Sequence, residues 1–362
     1  MTNTLRVELG EDSYPIIVGG ALLGRVGELL TSHTKSKKVL ILSDSLVKAR
    51  YMPVVRQSLE NAGFDVGTIE APAGEKSKSL AQFSRIQDSL IAHQLDRSSM
   101  LIALGGGVIG DLGGFAAAVY MRGIPYVQIP TTLQAQVDAS VGGKTAINHP
   151  KGKNLIGAFH QPKLVLIDVD TLKTLPQRDM RSGLIEVIKM GVIRDASLFE
   201  RVEENLAAIL NLEDAVLIEM ISSACVNKAE VVAKDEKESG LRMVLNYGHT
   251  FGHALEAVTH YNRYRHGEAV SIGMNCAAQL AVNLQMFSET DFQRQRVLLN
   301  RAKLPLTFPS DLTPEAVCDA MYLDKKTIGG RLRLILPTRI GEVVIRDDVD
   351  DQHVLEAISQ CF

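Results

Sequence analysis

Strand-like runs of four or five residues, most of them apolar, recur through the first half of the chain, at 39–42, 66–70, 100–104, 126–129 and 164–167. Between some of them lie stretches with the three-to-four-residue spacing of a helix, as over 80–93. Short apolar strands alternating with helices predict a parallel sheet covered on both faces. Residues 5–9 and 14–18 flank E-D-S and predict a short N-terminal strand pair. Ser43-Asp44-Ser45 ends the first of the later strands and can cap the helix that follows. Past Asp170 the pattern changes. A polar connector containing Pro176 leads into spans with the 3.6-residue period, at 198–210, 217–232, 269–284 and 292–302. A late run at 331–345 predicts a small hairpin. The expected organisation is an α/β domain over 1–175 and a helical domain over 176–362, with no internal repeat. Ligands of such a sheet bind past the carboxyl ends of its strands, and a cleft between two domains is a favoured pocket.

Composition narrows the class. At 362 residues, 46% apolar and 22% charged, the chain can bury the cores of two ordinary domains. A formal net charge of -3 gives no bulk attraction to nucleic acid or anionic membrane. Cys225, Cys276, Cys318 and Cys361 are scattered, without a C-x-x-C pair, which predicts reduced thiols and a cytoplasmic location. The start has no apolar signal-peptide core. The most apolar later run, 269–282, carries Asn275 and Gln279. It is shorter than the about 20 residues a membrane span needs.

Candidate chemistry concentrates between Asn246 and Glu268. Four of the nine histidines sit there, with Glu256 and Glu268. If the segment is helical, His249, His253, Glu256 and His260 share one face. Histidines four apart on a helix can hold one metal ion, although Thr250 stands where the zinc-protease motif has its glutamate. The alternative is a set of satisfied core or surface histidines.

Gly105 to Gly110 fits G-x-G-x-x-G after a strand and before a helix, a turn that brings backbone N–H groups to a pyrophosphate. No acid closes the next strand, which ends Pro130-Thr131-Thr132; the nearest ribose partner is Asp44, on an earlier strand. The stretch 141–154 reads as a loop holding Lys144, His149, Lys151 and Lys153 beside glycine pairs and no acid: a solvated surface or an anion cradle. Further cations stand at Arg122, Lys189, Lys228, Arg242, Lys325 and Lys326. Glu186 and Lys189, at i and i+3, are either an exposed ion pair or the carboxylate arm of a mixed metal site.

Taken in order, G-G-G-V-I-G-D-L, P-T-T-L, D-A-S-V-G-G-K-T-A-I-N-H-P-x-G-K-N, E-V-I-K, K-A-E-V-V, N-Y-G-H-T-F-G-H-A-L-E and H-G-E-A-V resemble the 3-dehydroquinate synthase family over essentially the whole chain. The resemblance implies an NAD-binding α/β domain followed by a helical domain that binds metal and substrate. It places the zinc ligands (cobalt being a possible substitute) at Glu186, His249 and His266, and makes His253 a pocket residue. Implied NAD contacts are Asp44, Glu75, Lys78, Gly106, Gly107, Asp111, Thr131, Thr132, Lys144, Lys153, Thr171 and Thr174. Implied substrate contacts are Arg122, Asp138, Lys144, Asn154, Lys189, Lys228, Arg242, Asn246, His253 and one of Lys325 or Lys326. Ala73 departs from the aspartate more usual in the family and leaves Glu75 and Lys78 intact.

The implied reaction takes 3-deoxy-D-arabino-heptulosonate 7-phosphate to 3-dehydroquinate, in the shikimate pathway. It runs by transient oxidation with NAD, phosphate elimination, re-reduction and aldol closure in a homodimer, with Arg122 reaching the neighbour's substrate. The rivals are a metal-dependent NAD polyol dehydrogenase, whose neutral substrate needs no lysine set, another sugar-phosphate cyclase, and a non-catalytic NAD-binding regulator.

Overall fold

In the computed structural model, which describes residues 1–238, 240–325 and 332–362, the chain divides into two compact units. The first contains 1–175 and 212–237; the second contains 176–211 and 238–362. Assigning everything past 175 to the helical half is therefore corrected: residues 212–237 return to the first unit.

The first unit is built on β1 (Thr2–Val7), β2 (Tyr14–Gly19), α1 (Val26–Thr31), β3 (Lys38–Asp44), α2 (Ser45–Asn61), β4 (Asp65–Ala71), α3 (Leu80–Ala92), β5 (Met100–Gly105), α4 (Gly107–Val119), β6 (Tyr126–Pro130), β7 (Lys144–His149), β8 (Gly152–Phe159) and β9 (Leu164–Asp168). Seven strands form one sheet in the order β1-β2-β9-β6-β5-β3-β4, parallel except where β1 meets β2. Strands β5, β6 and β9 are buried along their whole length because helices cover both faces. Side chains alternate between the faces: Val39 and Ile41 join Leu30, Val55 and Leu59 beneath α1 and α2, whereas Leu40 and Leu42 join Leu90, Leu112 and Ala116 beneath α3 and α4. Strand β4 lies on one side of β3 and β5 on the other, so the strand order switches direction between β3 and β5. That is where a doubly wound sheet opens a crevice at its carboxyl edge.

Two features of this unit differ from the expectation. The lysine-rich stretch at 141–154 is not a loop: β7 and β8 pair antiparallel from Lys144↔Phe159 to His149↔Gly152. Its apolar segments are too short to register as strands beside so many glycines. The returning helix, after α5 (Gln177–Ile193) and α6 (Ala196–Leu210), is α7 (Asp214–Lys234). It packs on β1 and β2; Asn3 Nδ2 donates to Ser222 Oγ at 3.1 Å and Cys225 Sγ to the Gln136 carbonyl at 3.4 Å. Periodicity predicts such a helix but says nothing about which core receives it.

The second unit holds α5, α6, α8 (His249–Val258), α9 (His266–Asn283), α10 (Glu289–Arg301), α11 (Pro314–Lys325), the hairpin β10 (Leu334–Arg339) and β11 (Glu342–Arg346), and α12 (Asp351–Ser359). Helix α5 is buried on every side from Ser182 to Ile193, and α9 from Ala269 to Ala278. Among the described residues no helix is long and apolar enough to cross a membrane.

Candidate metal centre and cofactor edge

Three helices of the second unit bring a carboxylate and two imidazoles together. Glu186 lies inside α5, His249 is the first residue of α8 and His266 the first of α9. Glycines make this approach possible. Gly248, with φ +77°, turns the chain into α8, and a Cβ at Gly273 of α9 would fall 2.0 Å from the Gly248 carbonyl oxygen. A Cβ at Gly267 would fall 1.9 Å from the Ser182 carbonyl, one turn before Glu186. His249 Nε2 and His266 Nε2 stand 4.0 and 3.9 Å from Glu186 Oε1. One ligand atom from each of the three residues lies within 4.8 Å of the others.

The remaining contacts prepare these groups to bind a cation. His249 Nδ1 donates to the Tyr247 carbonyl at 3.1 Å, and His266 Nδ1 to Glu256 Oε2 at 3.3 Å. A carbonyl can only accept, so the Nε2 of His249 keeps its lone pair toward Glu186. Burial first, then the charges of Lys189, His266 and His253, hold the His249 pKa well below the usual histidine range. The imidazole is thus neutral, the form a metal requires. Both Glu186 oxygens are buried and lack a hydrogen-bond partner. Lys189 Nζ is 2.5 Å from Oε2 as an ion pair but off the hydrogen-bonding direction. A buried carboxylate left this way, facing two imidazoles, fits a divalent cation.

Two features expected from spacing lie differently in the structure. Helix α8 ends at Val258, and His260 follows it at φ +54°, exposed and off the helical face. Glu186 and Lys189, readable as an exposed pair, are 1–2% exposed. His253 does join the cluster: its ring centroid is 5.4 Å from that of His249 and 5.9 Å from that of His266.

In the first unit, the residues implied for a dinucleotide collect at the carboxyl ends of the strands. Gly106 and Gly107 follow β5 at the switch point, and α4 begins there without a side-chain cap, leaving its first N–H groups for a ligand. Thr131 and Thr132 follow β6; Thr131 Oγ1 is buried and lacks a hydrogen-bond partner. Thr171 and Thr174 follow β9, where Tyr51 OH contacts Thr174 Oγ1 and donates to the Thr171 carbonyl. Lys78, 5% exposed, reaches Asp111 Oδ2 at 2.6 Å and also contacts Asn154 Oδ1. Burial raises the Asp111 pKa against the opposing pull of Lys78. Glu75 accepts from Asn148 Nδ2 at 2.7 Å. Asp44 caps α2, accepting from the Leu46 and Val47 N–H groups through Oδ1. The uncapped helix end and the orphaned threonine hydroxyl fit an anionic dinucleotide.

Lys228 of α7 forms an ion pair with Asp138 and donates to its carbonyl at 2.5 Å. Lys144 begins β7 and Lys153 lies in β8. In the second unit Arg242 is buried and Asn246 Nδ2 donates to Glu238 Oε1 at 3.1 Å. Arg122 is exposed in a turn at φ +69°. Lys326 and the Lys325 side chain lie outside the described residues. Sequence reasoning missed Gln136, whose buried amide donates to the Pro130 and Asp168 carbonyls and to Thr171 Oγ1, tying the β6 and β9 ends together. A lone glutamine offers no pattern to find.

A doubly wound sheet with a glycine-led helix start at its switch point, on a chain whose helical unit gathers two histidines and a buried glutamate, defines a nucleotide- and metal-dependent enzyme. The chain belongs to the 3-dehydroquinate synthase family. The family's N-terminal model matches residues 68–182 and its C-terminal model residues 183–327. A 3-dehydroquinate synthase of Desulforamulus reducens is 51% identical over 99% of both chains. Among solved structures, 2-epi-5-epi-valiolone synthase of Streptomyces hygroscopicus with NAD+ and Zn2+ bound is similar at TM-score 0.89 and 29% identity, covering 98% of each chain. A 2-deoxy-scyllo-inosose synthase complexed with carbaglucose-6-phosphate, NAD+ and Co2+ is similar at TM-score 0.89 and 25% identity, covering 99% of this chain and 100% of the other.

Proposed function

We propose that the chain converts 3-deoxy-D-arabino-heptulosonate 7-phosphate to 3-dehydroquinate and phosphate, using NAD and a divalent ion, as a lyase of the shikimate pathway. The observation that carries the metal dependence is the buried Glu186 carboxylate, without a hydrogen-bond partner, facing His249 and His266. The choice of substrate rests on 51% identity to a 3-dehydroquinate synthase, against 29% and 25% to the two other cyclases. Glu186, His249 and His266 would hold the ion, zinc or cobalt as in those two structures. Gly106, Gly107, Thr131, Thr132, Lys78, Asp111, Glu75, Lys153, Thr171 and Thr174 would hold NAD. When bound, the ion lowers the pKa of a substrate hydroxyl and NAD reversibly oxidises that carbon.

The protein's own groups do the rest. Lys144, Lys228 and Arg242 carry positive charge suited to the phosphate and carboxylate of the substrate, and Asp138, Asn154 and Asn246 offer it hydrogen bonds. Lys189 Nζ lies 2.5 Å from Glu186 Oε2. His253 is exposed beside both ligand histidines, so it can exchange a proton with substrate. Because oxidation and re-reduction fall in one turnover, NAD well below the substrate concentration is expected to support full phosphate release with no build-up of NADH. NADH rising in step with product would instead mark a dehydrogenase.

The chain would act as a homodimer in which Arg122 serves the partner's substrate. Supporting this, Met121 and Arg122 both hold left-handed backbone (φ +50° and +69°), which costs L-residues roughly 1–2 kcal/mol each and concentrates at functional sites. Mixing Arg122→Ala and Lys144→Ala chains should rebuild about a quarter of the sites by random two-fold pairing. Mixed dimers no more active than either parent would place Arg122 in its own chain's site or in none.

A further inference from the structure

We propose that Glu256 is a positioning residue for the metal centre: it accepts the Nδ1 proton of His266 and so fixes that ring with Nε2 toward the ion. The proposal rests on the reading that Glu186, His249 and His266 hold the ion. Glu256 is two helical turns after His249 on α8 and thus on the same face. Its side chain is 6% exposed, and Oε2 lies 3.3 Å from His266 Nδ1. The other ring nitrogen of His266 is the one 3.9 Å from Glu186 Oε1. The two ligand histidines are therefore oriented by different means, His249 by the Tyr247 carbonyl and His266 by a carboxylate.

The difference matters chemically. A backbone carbonyl only fixes a tautomer, whereas a carboxylate also makes the imidazole a stronger donor to the metal. His266 needs the help more. It is 28% exposed against 13% for His249, and it sits at the start of α9, after a turn held by long-range ion pairs. Arg178 bonds both Glu268 oxygens, at 2.6 and 2.7 Å, and Glu268 accepts from the Arg265 N–H at 2.9 Å. Those contacts hold the backbone of the turn; Glu256 bears on the ring. Without it, His266 is free to take the other tautomer, which presents an N–H to the ion.

One competing arrangement uses the same atoms. Ring nitrogens of His253 and His266 and an oxygen of Glu256 also lie within 4.8 Å of one another, which could hold a second ion. That would require His266 to bridge two cations, so a single hydrogen bond is the simpler account.

The test is chelator-buffered titration of the purified full-length chain with Zn2+, comparing wild type, Glu256→Gln, Glu256→Leu and His249→Ala. The expected result is one ion per wild-type chain, binding about 10- to 100-fold weaker in both Glu256 variants, and least weakened in Glu256→Gln. The melting temperature of metal-free Glu256→Gln should match metal-free wild type, and its Co2+ visible spectrum should shift. Binding within twofold of wild type in both variants overturns the proposal. So does a wild-type stoichiometry of two ions falling to one in Glu256→Leu, which would make Glu256 a ligand. Should the leucine variant not fold, imidazole 15N spectra of metal-free wild type decide: His266 must be protonated on Nδ1, and protonation on Nε2 overturns the assignment. His249→Ala separates the two readings. If it binds Zn2+ as wild type does, the metal reading itself fails; if only it loses the ion, the role of Glu256 alone fails.

Discussion

His249→Ala is expected to strip the divalent ion from the purified chain and to lower kcat/KM by about 10³-fold or more, since several kcal/mol of Lewis-acid stabilisation are lost. His253→Ala should behave differently. It removes a ring from the same cluster but not from the Glu186–His249–His266 set, so metal content should stay at the wild-type level while kcat falls by about 10²- to 10⁴-fold, the range for losing a proton-transfer group. Elemental analysis beside steady-state kinetics reads both quantities. Metal lost from His253→Ala and kept in His266→Ala would reject the ligand set and favour the i, i+4 helix pair.

The second large effect concerns packing. Gly273→Ala puts a methyl group 2.0 Å from the Gly248 carbonyl and 2.8 Å from the Gly252 N, both backbone atoms that a rotamer change cannot relieve. Helices α8 and α9 must separate, at about 1–3 kcal/mol or more for overpacking. The residue after Gly248 is His249, so the same displacement should weaken metal binding, although position 273 carries no metal-binding group. Thermal melts with and without chelator measure the two effects. Gly24→Ala, whose new methyl would meet only Val54 Cγ2 at 4.0 Å, is the control and should stay within about 0.5 kcal/mol of wild type. Equal melting temperatures for the two alanine variants would mean the glycine contact is slack.

Much of the first unit was legible because its signals are local. Each apolar run became a strand, and Asp44 became the helix cap that S-D-S implies. The Glu186–His249–His266 cluster was not legible from spacing, because its members come from three helices whose meeting depends on glycine contacts. Periodicity gave His260 instead, a residue past the end of α8. Glu186 and Lys189 could be taken for a surface pair since i, i+3 spacing is the same on any face. The available clue was the sequence around them, S-G-L-I-E-V-I-K-M-G-V-I, apolar on all sides of the helix. Residue-by-residue resemblance named the three side chains that the structure brings together, which pattern reading did not. Neither route found Gln136, whose role depends on the ends of β6 and β9 meeting in space.

The return of α7 to the sheet unit has a practical consequence for anyone dissecting the enzyme. The chain passes between its units three times, at 175/176, 211/212 and 237/238, so no single cut yields two whole halves. A fragment ending at Leu175 would lack the helix that packs on β1 and β2, uncovering the surface it shields on those strands and inviting aggregation. A soluble sheet unit would have to be made by excising 176–211, joining Leu175 to Leu212 through a short linker and stopping at Lys237. The helical unit, conversely, could be made only by splicing Asn211 to Glu238.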